Sequence, residues 1–115
     1  GYESGELQGT LKLQEGRTPL TKGFFDTALT YMFDDAQVSS VSLLLDGRPY
    51  VTMGCDDFPY LAVWTIEDTH PFVCLEPWTG MGTRVSEDDR FEHKLGAKIL
   101  KPGEEQSLAF TITVF

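Results

Sequence analysis

A chain of 115 residues with 41% hydrophobic content is long enough for one domain with a real core, and one domain is expected. Nine Lys+Arg against 18 Asp+Glu give a net charge of −9, which repels phosphate backbones and anionic membrane surfaces and argues against a nucleic-acid partner. No run of about 18 apolar residues is present to span a bilayer, so a soluble chain with no membrane partner is expected.

The chain opens on Gly1 rather than Met, and GYESGELQG reads as mid-protein text, so a piece of something longer is expected. No basic start followed by an apolar stretch suggests an export signal. ELQGTLKL (6–13) has the composition of a strand. TKGFFDTALTYMF (21–33) reads either as a short helix or as a loop leading into a strand.

VSSVSLLL (38–45), YVTMG (50–54), YLAVWTI (60–66) and PFVCLE (71–76) are rich in β-branched, aromatic and other apolar residues, which predicts strands. Their separators are turn formers. Asp46-Gly47-Arg48-Pro49 predicts a hairpin, because Gly relieves the positive φ that tight hairpin turns demand. Asp56-Asp57 before Phe58-Pro59 also reads as turn chemistry.

Residues 79–96 are polar and contain glycine, and predict a long excursion; loops of that length inside a compact domain are usually functional or mobile. Its acidic patch Glu87-Asp88-Asp89 lacks the alternating oxygen ligands and central Gly of a calcium loop and reads as a solvated turn. Lys101-Pro102-Gly103-Glu104 predicts a turn between AKIL (97–100) and SLAFTITV (107–114). In the latter Leu108, Phe110, Ile112 and Val114 share one face, the pattern of a half-buried strand. Strands every 8–12 residues with few helical periods predict an all-β fold, an antiparallel sandwich or barrel.

Cys55 and Cys74 are too few for a disulfide scaffold and lie in apolar surroundings, where a reduced thiol packs as a small hydrophobe. A reducing cytosol is the expected location. His70 and His93 have no partner at metal-ligand spacing and read as surface residues; no metal site or cofactor is expected. There is no Gly-rich phosphate loop and no Ser or Cys nucleophile motif.

The unusual feature is the carboxylate in PFVCLEPWTG (71–80). On a strand, Phe72, Cys74 and Glu76 project to one face and Val73 and Leu75 to the other. Pro77 removes a ladder donor and is expected to end regular pairing, placing Glu76 at a strand end with Trp78 beside it. A carboxylate next to an aromatic surface suits a neutral polyol, whose hydroxyls meet the acid while its C–H faces lie on the ring. The structural alternative is a strand-end Glu satisfied by backbone N–H groups, with Trp78 in the core.

DDFPYLAVWT (56–65), PFVCLEPWTG (71–80) and HKLGAKILKPGEEQSLAFTITV (93–114) together resemble the C-terminal portion of the aldose 1-epimerase (galactose mutarotase-like) family, in its LacX-type branch. FFDTALTY (24–31) is similar to an upstream segment that in the family reads closer to F-x-x-D-A-L. The resemblance spans roughly residues 20–115 and implies that the antiparallel β-sandwich is the C-terminal part of a larger supersandwich, with residues 1–115 a single β domain.

It further implies a hexose as small-molecule partner, and interconversion of its α and β anomers by general acid–base catalysis. Glu76 falls on the position of the catalytic base. Trp78 and Phe58 are candidate sugar-facing aromatics, and Asp26 is a candidate substrate contact, although holding Ala28-Leu29 in register puts Thr27 on the family's Asp position. The family's acid histidine belongs to a region with no matching motif here, so this chain alone is expected to be a poor catalyst. The alternatives are a non-catalytic carbohydrate-binding or interaction module, and a partial sandwich that self-associates through uncovered sheet edges.

Overall fold

The computed structural model describes residues 6, 8–26, 28, 30–66 and 72–115. Six strands form two three-stranded antiparallel sheets, and no α-helix occurs among the described residues. In chain order the strands are β1 (Thr30–Phe33), β2 (Ser40–Leu45), β3 (Arg48–Gly54), β4 (Tyr60–Trp64), β5 (Cys74–Trp78) and β6 (Thr111–Val114). One sheet has the order β1-β4-β5 and the other β2-β3-β6. The all-β antiparallel sandwich expected from the strand spacing is the observed fold class.

β2 and β3 form the expected hairpin, turned by two residues. Asp46 (φ 49°) and Gly47 (φ 76°) both take left-handed backbone, the requirement of a type I′ turn, whose twist matches that of the flanking strands. Asp56-Asp57 does form a turn, closed by Phe58 N–H donating to Cys55 O at 3.0 Å, and it has a second use. Asp57 Oδ2 accepts the backbone N–H of Ala109 at 2.8 Å, which ties the segment before β6 to the turn before β4.

The sheets meet through Met53, Cys55 and Leu61, which are buried at 4%, 1% and 2% exposure. Phe33, Val38, Val41, Phe58, Val63 and Leu75 pack around them. Leu61, Val63 and Leu75 lie opposite or alternate with one another in the β4–β5 register, so they mark the inner face of that sheet.

Several strand expectations are corrected. β1 settles the ambiguity of 21–33: turns over Lys22–Phe25 lead into a strand, not a helix. Residues 8–13 form no strand, since the stretch finds no partner among the described residues. Pro77 does not end β5, which runs through it to Trp78. β5 is an edge strand, where a missing N–H on the open side costs no ladder bond. Glu76 is therefore mid-strand rather than terminal.

The half-buried reading of the C-terminal strand also fails. Ile112 and Val114 pair with Met53 and Val51 and share their apolar face, yet are 62% and 75% exposed. No described helix is long and apolar enough to cross a membrane.

Candidate functional site

The face of the β1-β4-β5 sheet turned away from the core follows from the register. Thr30 and Met32 of β1 stand opposite Trp64 and Ala62 of β4, and these in turn oppose Cys74 and Glu76 of β5; Tyr60 opposes Trp78. Partners across a ladder project to one side, so Glu76 sits on a face shared with Tyr60, Trp64 and Trp78. Its direct opposite, Ala62, is fully covered at 0% exposure, and its small side chain leaves room above the sheet for the carboxylate and the indole. Trp64 in turn packs edge-on against Phe72 at 5.8 Å between centroids.

Glu76 is half-buried. The Trp78 indole N–H donates to its Oε2 at 3.2 Å. Among the described residues no cation pairs with the carboxylate, and no backbone N–H caps it. The Cys74 thiol beside it is pushed above its ordinary value, by burial first and by the Glu76 charge second, which keeps it protonated and unreactive. Cys55 is pushed up too, by burial and then by Asp56. Both cysteines are free.

The remaining sequence candidates are placed apart from Glu76. Phe58 packs on the core from the turn before β4, edge-on to Phe110 at 6.4 Å, and lines a cleft of about 270 Å³ together with Asp56, Lys98 and Leu108. Glu76 does not line that cleft. Asp26 is exposed in the turn ahead of β1, its N–H donating to Gly23 O at 3.1 Å, and β4 stands between β1 and β5. Thr27 and His70 lie outside the described residues. His93 is in the excursion, with Nδ1 2.7 Å from Asp88 Oδ2.

That excursion is an organised Ω-loop; in its acidic patch, expected to be a solvated turn, Asp88 and Asp89 are exposed while Glu87 is drawn in. Its base is closed by Met81 N–H donating to Leu95 O at 3.1 Å and by the close approach of Gly80 and Gly96. Inside it, Lys94 Nζ donates to Thr83 Oγ1 at 3.0 Å and to Glu87 Oε2 at 2.9 Å. Glu87 Oε1 and Arg84 Nε are enclosed without hydrogen-bond partners in the same loop. Sequence spacing gives no signal for a 7-residue contact inside a loop, which is why the Lys94 anchor was not anticipated. Among the described residues no group of three or more His, Cys, Asp or Glu is placed to hold a metal ion.

The Lys94 hydrogen bond, helped by a backbone N–H of Arg84 donating to the carboxylate and by the Lys94 and Arg84 charges, holds the Glu87 carboxyl below its ordinary range against a smaller opposing effect of burial. A depressed carboxyl stabilises the loop fully above its unfolded titration range and loses that contribution as pH falls through the lower folded value. Lys94→Met is therefore expected to move acid-induced opening of the loop to higher pH. Amide exchange of Met81 and Glu87 followed between neutral and acid pH measures this; an unchanged opening pH would contradict it.

Comparison with known proteins relates the chain to LacX. It is 34% identical to the chromosomal LacX protein of Lactococcus lactis subsp. lactis, in a match covering 92% of this chain and 38% of that protein. The plasmid LacX protein of the same organism matches to the same extent. The chain thus spans about two fifths of the length of these relatives, and the LacX-type relationship read from the sequence stands. No protein-family model matches the chain, and no solved structure matches it significantly.

Proposed function

We propose that these residues are the C-terminal part of a longer aldose 1-epimerase-like polypeptide that works in the cytosol, holds a free hexose on the outer face of β1-β4-β5, and in its complete form interconverts the sugar's α and β anomers. One observation carries the reading: a mid-strand carboxylate, unpaired with any described cation, on a face lined by Tyr60, Trp64 and Trp78. The LacX relationship and the uncovered apolar row of β6 support it.

In this reading Glu76 takes the proton from the anomeric hydroxyl while an acid group protonates the ring oxygen. The C1–O5 bond breaks, the aldehyde forms, rotation about C1–C2 presents its other face, and the steps reverse with the protons returned. Glu76 needs only proximity and a carboxylate left free to accept. Asp26 and Phe58 enter only if the sugar reaches beyond this face. Among the described residues no histidine takes the acid's place: His93 is bonded to Asp88 in the Ω-loop.

Loss of one partner in acid–base catalysis forfeits a factor of about a hundred or more, so polarimetry of fresh α-glucose or α-galactose with this chain should stay near the buffer rate. Titration calorimetry against free hexoses tests the binding half. Saturable binding is expected, weakened about tenfold in Glu76→Gln by loss of a charge-assisted hydrogen bond. Affinity indifferent to Glu76→Gln but abolished in Trp78→Ala would instead identify a non-catalytic carbohydrate-binding module. No binding of any hexose would remove the proposal.

A further inference from the structure

We infer that Trp78 is a positioning residue: its indole N–H fixes the Glu76 carboxylate by holding Oε2, so that Oε1 is the oxygen presented to a ligand. The inference rests on the proposed sugar site for its functional meaning, but its geometry stands without it. Residues two apart on a strand project to the same side, about 7 Å apart, which is within reach of an indole ring turned back along the strand. The observed Nε1–Oε2 separation of 3.2 Å is a hydrogen bond.

Three features make this a built arrangement rather than a chance contact. Pro77 lies between the two residues and locks its own φ near −65°, which limits the freedom of the Glu-Pro-Trp unit. Ala62, fully covered directly opposite Glu76, supplies the space in which carboxylate and indole meet. The indole is a pure donor, and a half-buried one needs an acceptor.

The choice of donor has a chemical consequence. A lysine or arginine in the same place would pair with the carboxylate and bring a full opposing charge against the proton acceptor. An indole N–H orients the group without bringing a charge, with one oxygen unused by any described residue. The EPW sequence therefore reads as one device in which Glu76 does the chemistry, Pro77 sets the backbone and Trp78 sets the rotamer. Trp78 is then an orienting group first; its ring face is a second and separable contribution.

The test uses the fact that the chain has two tryptophans, so two indole N–H signals appear in a ¹⁵N–¹H spectrum, assigned with Trp64→Phe. Among the described residues the other titratable groups on this face are Tyr60 and Cys74 from β4 and β5, and β1 contributes none. Phenols and thiols ionise on the alkaline side, so of these described groups the Glu76 carboxylate alone can drive a change on acidification, and the Glu76→Gln control excludes any other source.

Acidification is expected to shift the Trp78 indole signal through one transition, with the Trp64 signal moving far less, and the isosteric Glu76→Gln should abolish that transition. A Trp78 signal indifferent to pH, or moving equally in Glu76→Gln, would overturn the inference. Trp78→Phe, which keeps an aromatic ring but loses the N–H, should weaken hexose binding about tenfold. Wild-type affinity in Trp78→Phe would reduce the bond to a structural one and overturn the positioning role. If the wild-type chain bound no hexose, the sugar reading would fall while the spectroscopic result still decided whether Trp78 fixes the carboxylate.

Discussion

Leu61→Ala should cost about 3 kcal/mol and leave much of the chain unfolded at ambient temperature. Large-to-small changes at fully buried sites typically cost about 2–5 kcal/mol, from lost transfer energy and the cavity left behind. Domains of this size have only about 5–15 kcal/mol in total. The described part of this chain has few reserves, because only Met53, Cys55, Leu61 and Ala62 are buried apolar residues. Leu61 joins the two sheets, so its loss is felt by both. Ile112→Ala, at a site 62% exposed, should change stability by less than about 0.5 kcal/mol despite the same chemistry. Urea denaturation of the two variants checks the contrast. Equal midpoints would mean that the core is not where the fold places it.

Gly96→Ala should detach the Ω-loop from the sheet. Gly96 has φ +76°, and a Cβ there would lie 2.6 Å from Thr79 O, 2.8 Å from Gly80 Cα and 3.2 Å from a Tyr60 ring carbon. Two of those three neighbours are backbone and cannot turn aside. The left-handed conformation adds about 1–2 kcal/mol for any residue with a Cβ, and the clash adds to it, so the loop base opens rather than the sheet. Amide exchange at Met81 should rise by at least tenfold, because its bond to Leu95 O closes the base. Since Thr79 and Tyr60 border Trp78, hexose affinity should fall in parallel. Unchanged protection at Met81 would show that the loop is held elsewhere.

The strands that carry the candidate site were legible because their signals are local. Asp46-Gly47 names its own turn, and apolar runs bounded by turn formers gave β2 to β5. The i, i+2 relation of Glu76 and Trp78 follows once β5 is a strand. Expectations failed where the answer depended on neighbours. Pro77 is compatible with a strand only because β5 is at a sheet edge, and edge position is a property of topology. The alternation of Leu108, Phe110, Ile112 and Val114 predicted a strand with an apolar face, but only Ile112 and Val114 fall within β6, and they lack cover. The ELQGTLKL stretch has strand composition without a partner among the described residues, and composition cannot supply one. The indole–carboxylate bond depends on side-chain rotamers and on the small size of Ala62 across the ladder, neither of which spacing along one strand reveals.

An NMR titration of the ¹⁵N-labelled chain with a free hexose bears most directly on the role of Glu76. Saturable shifts are expected at the Trp64 and Trp78 indoles and at the Ala62 and Glu76 amides, much reduced in Glu76→Gln. Saturable binding that left those signals still and moved Phe58 and Lys98 instead would place the ligand in the other cleft and contradict the account.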